Sequence, residues 1–321
     1  MPSCEASSLT RACSYDSLVA SPFGPLAVIA DPAAGGGRVR EELEVLRRSL
    51  DARELDHELW VIERPGDGER LASEALAVGH RFVVAVGADA LVQDVLNGLF
   101  VNGHTRVEEP VLGVVSASSG CDLLKSFGLP DDTEGGCAHL TGDSTYPFDV
   151  MKVTCTGPEG DRRTRYAHNL AEVGLGAAVA VRMATGRERF GAFWRSYARY
   201  RVPLIRIGID AKQERELRAW NVVIGNGQFS AGLRLSPRSF PGDGVLDALV
   251  FTGPKSDAYR MLPRIYRHGG HVPDPNIMEL RAKIRIGVDA TRSLPVVADG
   301  EPFGATPATF QVLPRQILLK L

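Results

Sequence analysis

The chain has 321 residues, 44% of them hydrophobic and 24% charged, with 37 lysines and arginines against 39 aspartates and glutamates for a net charge of −2. So balanced a chain has no long-range field for DNA or RNA, which excludes nucleic acid as a general partner. The length suits two domains that bury their own cores without disulfides or structural metals.

The cysteines (Cys4, Cys13, Cys121, Cys137 and Cys155) lie far apart with no C-x-x-C pair, as free thiols in a reducing compartment would. No run of about 18 apolar residues occurs, so no transmembrane segment is expected. The start lacks a basic stretch followed by an apolar one, so no signal peptide is expected either. The expected location is cytoplasmic. Residues 1–22, rich in Ser and Ala without periodicity, read as a flexible N-terminal arm.

From there strand and helix alternate. Leu26–Ala30 is a continuous apolar run, the pattern of a strand buried on both faces. Val39, Leu43, Leu46 and Leu50 recur at helical spacing, with charged residues mostly on the remaining surface. The cycle repeats with strand Glu58–Ile62, helix Glu69–Val78, strand Phe82–Val86, helix Val92–Phe100, strand Val111–Val115 and helix Asp122–Phe127. Such alternation predicts an α/β domain with a doubly wound parallel sheet. Polar Asp131–Ser144 reads as the linker, which gives domains at 23–145 and 146–321.

The second half changes character. Val150–Thr154 and Thr164–His168 flank a turn, and further strands are expected at Leu204–Ile209, Trp220–Ile224, Leu246–Phe251, Lys283–Val288, Pro295–Ala298 and Phe310–Leu319. Helices are expected only near Ala177–Tyr200 and Asp257–Tyr266, so this half is a mainly antiparallel β-sandwich.

Ligands of doubly wound sheets bind beyond the carboxyl ends of the strands. Three turns qualify: Asp31–Gly37, Gly87–Leu91 and Ser116–Asp122. The first holds Gly35, Gly36 and Gly37 before a helix, where unpaired N–H groups and the helix dipole favour an anion such as phosphate. A plain flexible turn is the other reading, and neither G-x-x-x-x-G-K-[ST] nor G-x-G-x-x-G is present.

Taken together, Asp31-Pro32-Ala33-Ala34-Gly35-Gly36-Gly37, Gly87-Ala88-Asp89-Ala90-Leu91, Asn97-Gly98-Leu99, Gly225-Asn226-Gly227-Gln228-Phe229, Pro241–Asp247 and Asp299-Gly300-Glu301 resemble, in order, the diacylglycerol kinase catalytic family of lipid and sphingosine kinases. The resemblance runs from about Pro25 to the C-terminus. It implies a nucleotide-binding α/β domain of diacylglycerol kinase and NAD kinase type, then a β-sandwich that contributes the lipid site. ATP would lie in the cleft between them with Mg²⁺.

By the same resemblance, Glu301, Asp299 and Asp89 would be the catalytic residues, with Glu301 as general base on the lipid hydroxyl and Asp89 near the Mg²⁺-phosphate. Asp31, Pro32, Gly35, Gly36, Gly37, Arg38, Gly87, Ala88, Ala90, Ser118, Ser119 and Gly120 would surround ATP, and Asp243 and Asp247 would hold a structural Mg²⁺. The residues alone leave simpler readings open: a helix N-cap for Asp89, a solvated hairpin carboxylate for Glu301 and a plain turn for Asp243 and Asp247.

Departures from the family pattern concentrate at the nucleotide. Asp31 stands for the usual Asn, Gly87-Ala88-Asp89-Ala90-Leu91 for Gly-Gly-Asp-Gly-Thr, and Ser118-Ser119-Gly120-Cys121-Asp122 for Gly-Thr-Gly-Asn-Asp. Asn169–Gly176 resembles the start of the lipid-facing region, but Gly176 stands where some members have Asp to contact the acceptor lipid.

Arg182, Arg187, Arg189, Arg195, Arg199, Arg201 and Arg206 interleave with Phe190, Phe193, Trp194, Tyr197 and Tyr200. That segment reads as a solvated helix or as one that meets an anionic membrane, at the inner membrane face. Trp60 reads as packing, and His80, His104, His168, His268 and His271 show no ligand spacing and receive no role.

The expected function is an ATP-dependent lipid kinase acting on a diacylglycerol-like or sphingoid lipid. The alternative is a pseudokinase that binds nucleotide or lipid with reduced or lost transfer activity. A soluble acceptor is a third, weaker reading, and a homodimer is compatible with all of them.

Overall fold

The computed structural model describes residues 21–117, 120–185, 191–210, 213–267 and 269–321. The first strands are Leu26–Ala30 (β1), His57–Val61 (β2), Phe82–Val86 (β3) and Val111–Val115 (β4), connected through helices Arg38–Asp51 (α1), Asp67–Ala77 (α2) and Asp89–Gly98 (α3). They pair in parallel in the order β4-β3-β1-β2. β1 shows why its residues are apolar without a break: Ala27 and Ile29 pack into the core beneath α2 and α3, and Leu26, Val28 and Ala30 into the one beneath α1. Burying a Leu or Ile this way contributes about 1.5–3 kcal/mol each.

Helices Asp122–Phe127 (α4) and Thr133–Ala138 (α5) follow. The second is a correction to the linker reading of Asp131–Ser144. Two glycines disguise it, but Asp132 caps it by accepting from Gly135 N at 2.7 Å, and Cys137 is buried in the α1 core.

The rest of the chain is mostly antiparallel: strands Thr145–Thr156 (β5), Arg162–Ala167 (β6) and Leu170–Gly174 (β7), helices Leu175–Ala184 (α6) and Ala192–Arg199 (α7), then strands Leu204–Ile209 (β8), Gln213–Arg218 (β9), Asn221–Gly225 (β10) and Leu246–Phe251 (β11). The short helices Asp257–Arg260 (α8) and Leu262–Tyr266 (α9) precede Ile277–Ala282 (β12), Arg285–Ala290 (β13), Pro295–Ala298 (β14) and Glu301–Lys320 (β15). The helix expected over Ala177–Tyr200 is therefore two helices.

The backbone path of the large sheet runs β12-β11-β10-β7-β14-β15-β4-β3-β1-β2. Its pivot is β15. It begins at Glu301 against β14, pairs with β13 and β5 along its length, and ends with Leu318 and Leu319 parallel to β4. One strand thus carries hydrogen bonding from the antiparallel half into the parallel half, and fixes the position of Glu301 relative to β1 and β3. No helix among the described residues is long and apolar enough to cross a membrane.

Candidate active site

The site forms where β1 and β3 end and β15 begins. After β1, Asp31 Oδ1 accepts from Ala33 N at 2.9 Å, and the chain passes through Gly35, Gly36 and Gly37 at φ of 63°, 73° and 98° into α1. These left-handed positions strain any residue with a Cβ, which accounts for the glycines.

Glu301 is delivered by a different device. Asp299 and Gly300 both have positive φ, 47° and 84°, and form a two-residue hairpin loop that pairs Ala298 with Glu301. Asp-Gly is the sequence such a loop prefers.

A cleft of about 380 Å³ opens between these pieces. Asp31, Pro32 and Ala33 line it from the first turn, Arg40 from α1, and Ala90, Leu91 and Asp94 from α3. Residues 62–66, Arg165 and Glu301 complete it. Arg165 pairs with Asp94 at 3.0 Å, yet burial lifts the Asp94 carboxyl above its usual range despite that partner. On the other side of Glu301 lies a second cavity of about 370 Å³ with mostly apolar walls, among them Leu175, Val179, Phe193, Phe251 and Val297. Glu301 lines both.

Beneath Glu301 is a buried charge network. Asp299 has a buried carboxylate that accepts from the backbone N–H groups of His168, Asn169 and Leu170 at 2.8, 2.9 and 3.0 Å. It also faces His168 Nδ1 at 2.9 Å, while His168 Nε2 meets Asp89 Oδ1 at 3.4 Å. Burial alone would depress the His168 pKa, but Asp299 and then Asp89 outweigh it and push it up to about 10. Asp89 moves the other way: burial raises its pKa, and His168 with the N–H of Asp122 more than offsets that, so it ends below the usual carboxylate range. Gln93 on α3 donates to Ala298 O at 3.1 Å, and Asn97 exchanges hydrogen bonds with the backbone of Tyr166. Asn226 donates to His168 O at 2.8 Å. These contacts lock the hairpin that carries Glu301 to α3 and to the loop around His168.

Asp31, Pro32, Ala90 and Glu301 are the sequence-expected residues that share the polar cleft. Gly35, Gly36, Gly37, Arg38, Gly87, Ala88 and Gly120 lie on the adjoining turns outside its lining, and Ser118 and Ser119 fall outside the described residues.

Three expectations need correction. Asp299 is a positioning group, because its oxygens are taken up by three backbone N–H groups and an imidazole. Asp89 turns away from the cleft: both its oxygens accept from the one backbone N–H of Asp122, at 2.9 and 3.0 Å, so it caps α4 rather than facing a phosphate. Asp243 and Asp247 hold Arg281, at 2.9 and 2.8 Å, so a guanidinium already balances the charge expected to hold Mg²⁺.

Among the described residues no cluster of three or more His, Cys, Asp or Glu is arranged to hold a metal. That does not fit an all-protein cage. Mg²⁺ that keeps its waters and binds with a polyphosphate needs only one or two carboxylates, and Asp31 on the cleft wall would supply one.

His168, Arg165, Asp94, Arg40 and Arg64 are the site residues that sequence reasoning missed. The partners of His168, Arg165 and Asp94 lie far away along the chain, so no local spacing marks these three. The one available signal was the position of His168 directly before the Asn169 segment.

The chain is similar to several known proteins. Residues 25–153 match the diacylglycerol kinase catalytic domain, and residues 173–320 match the YegS C-terminal NAD kinase beta sandwich-like domain. A curated relative from Pseudomonas aeruginosa, named "Probable lipid kinase YegS-like", is 28% identical over 306 residues, covering 92% of this chain and 93% of that protein. One from Cronobacter sakazakii with the same name is 26% identical, covering 87% and 91%. The crystal structure of a diacylglycerol kinase from Bacillus anthracis superposes with a TM-score of 0.68 at 18% identity, over 94% of this chain and 97% of the other. Yeast NADH kinase shares the fold at a TM-score of 0.51 and 9% identity, over 92% and 82%.

Proposed function

We propose that this chain, whose residues 25–153 match the diacylglycerol kinase catalytic domain, is an ATP-dependent lipid kinase that transfers the γ-phosphoryl group to a lipid hydroxyl. The observation that carries this reading is the place of Glu301, on the shared wall of a polar cleft and an apolar cavity. A charged donor and an apolar acceptor would meet there and nowhere else along the two cavities.

In the polar cleft, Arg40 and Arg64 line the wall and the N-terminus of α1 lies nearby, so negative phosphates are favoured. Mg²⁺ bound with the nucleotide would supply charge neutralisation. In the apolar cavity the acyl chain is out of water and its hydroxyl is at Glu301. The carboxylate accepts the hydroxyl proton as the oxygen–phosphorus bond forms, the bond to the bridging oxygen of ADP breaks, and ADP leaves with that electron pair. Trp194, Tyr259 and Tyr266, 59%, 47% and 68% exposed, are suited to the peripheral contact with a membrane surface that reaching a lipid requires.

A second reading, a family member that binds but does not transfer, is favoured by Leu91. Its side chain is 3% exposed, and its methyls pack where a Cβ at Gly87 or Gly68 would lie, so the second turn is filled by hydrocarbon.

Transfer of labelled γ-phosphate to mixed lipid vesicles, with wild type beside Glu301→Gln, separates the two. The kinase reading expects wild type to label a lipid and the variant to be slower by about 10²–10⁴-fold. Equal rates would overturn it. Under the binding-only reading, Ala88→Gly, Ala90→Gly and Leu91→Thr together raise nucleotide affinity.

A further inference from the structure

The apolar cavity contains one feature that neither fold stability nor phosphoryl transfer explains. Glu172 sits in the middle of β7, and its direct neighbours across the strands are Val223 on β10 and Val297 on β14. All three line the cavity. Desolvation of a carboxylate between two valines costs free energy that a leucine would not.

The carboxylate is also held in place. Asn221 Nδ2 donates to Glu172 Oε2 at 3.1 Å, while Asn221 Oδ1 accepts from Gly176 N at 2.9 Å, which fixes the amide. A Cβ at Gly176 would fall on Glu172 Oε2, so the glycine leaves the room that Glu172 occupies. The turn residues Gly300 and Glu301 border the same cavity. An acceptor whose hydroxyl reaches Glu301 from this cavity therefore shares the cavity with Glu172.

We propose that Glu172 is a specificity-determining residue that selects acceptor lipids bearing a second hydrogen-bond donor, an ammonium or a hydroxyl, close to the hydroxyl that is phosphorylated. This rests on the lipid-kinase reading and narrows its substrate class. A diacylglycerol, with a single hydroxyl and ester carbonyls beside it, brings the carboxylate no donor of its own. A sphingoid base or a monoacylglycerol supplies one. Burial holds the Glu172 carboxyl above its usual range, with the Asn221 hydrogen bond opposing.

The test compares kcat/KM for sphingosine, monooleoylglycerol and dioleoylglycerol in wild type, Glu172→Gln and Glu172→Leu. Wild type is expected to prefer the first two, and Glu172→Leu to lose that preference by roughly 10- to 100-fold, read as the ratio of kcat/KM values within each protein. Glu172→Gln distinguishes the donors, because its amide oxygen still accepts from a hydroxyl but no longer pairs with an ammonium. A wild-type preference for dioleoylglycerol, or a ratio that Glu172→Leu leaves unmoved, overturns the proposal.

If wild type phosphorylates none of the three, the kinase reading has failed on its own. Binding then decides the role of Glu172. Quenching of Trp220, which lines the cavity, by micellar lipid in a Trp60→Phe, Trp194→Phe background should show the same loss of preference in Glu172→Leu. Identical affinities would reject it.

Discussion

Replacing His168 with Gln tests whether a buried imidazolium holds the Glu301 hairpin in place. The ring is completely buried, with Asp299 at 2.9 Å on one side and Asp89 at 3.4 Å on the other. A rise in pKa from 6.5 to about 10, at 1.36 kcal/mol per unit, corresponds to about 5 kcal/mol of preference for the charged ring in the folded state. Asp299 keeps its three backbone N–H donors in the variant, so the loss should be smaller, about 3–5 kcal/mol, or roughly 6–15 °C in Tm.

The sign of the pH dependence follows from the direction of each shift. The folded pKa of His168 is raised, so its contribution is complete below pH 6.5 and disappears as pH rises through about 10. The folded pKa of Asp89 is lowered, so its share is present above 3.8 and disappears as pH falls further. Thermal melts of both proteins across this range should therefore show the widest gap between pH 3.8 and 6.5, narrowing toward 10. A gap that stays constant up to pH 10, or a Tm for His168→Gln within a degree or so of wild type, would refute a charged His168 clamped by two carboxylates.

Glu301→Gln should leave Tm within about 1 °C of wild type, since the side chain is exposed and its hairpin is held by Asp299; a large drop in a thermal melt would give Glu301 a structural role instead. Gly98→Ala should cost about 1–3 kcal/mol, because a Cβ there meets Glu69 O and the Ala72 side chain where α2 crosses α3; denaturant unfolding with an unchanged midpoint would contradict that crossing. Arg281→Ala leaves Asp243 and Asp247 facing each other without a counter-charge. Because Arg281 is 60% exposed, the loss in water should be small, about 1 kcal/mol or less, but millimolar MgCl₂ should stabilise the variant more than wild type; equal responses would mean that the pair cannot accept a cation.

Parts of the site were legible in the sequence because they are local. Asp299-Gly300 could be seen as a hairpin from two residues, since only a few side chains accept consecutive positive φ values. The same holds for Gly35-Gly36-Gly37 ahead of α1. Asp89 was open to two readings, cap or phosphate neighbour, and the choice fell to an element 33 positions away, the N-terminus of α4. Glu172 looked like an ordinary strand residue until β10 and β14 placed a valine on each side of it.

What the sequence by itself determined is the class of each element and the order in which they come. Apolar runs as short as Leu26–Ala30 and Val111–Val115 read as strands covered on both faces, and helical spacing from Val39 to Leu50 reads as a helix with one buried stripe. Strand Gln213–Arg218 escaped that reading because it pairs with β8 at an edge and needs no apolar face. Tertiary structure alone decided which charges meet. The energy of a buried ion depends on atoms within a few ångströms of it, and the chain brings those atoms from residues 89, 168 and 299 only after β15 has tied the two halves into one sheet.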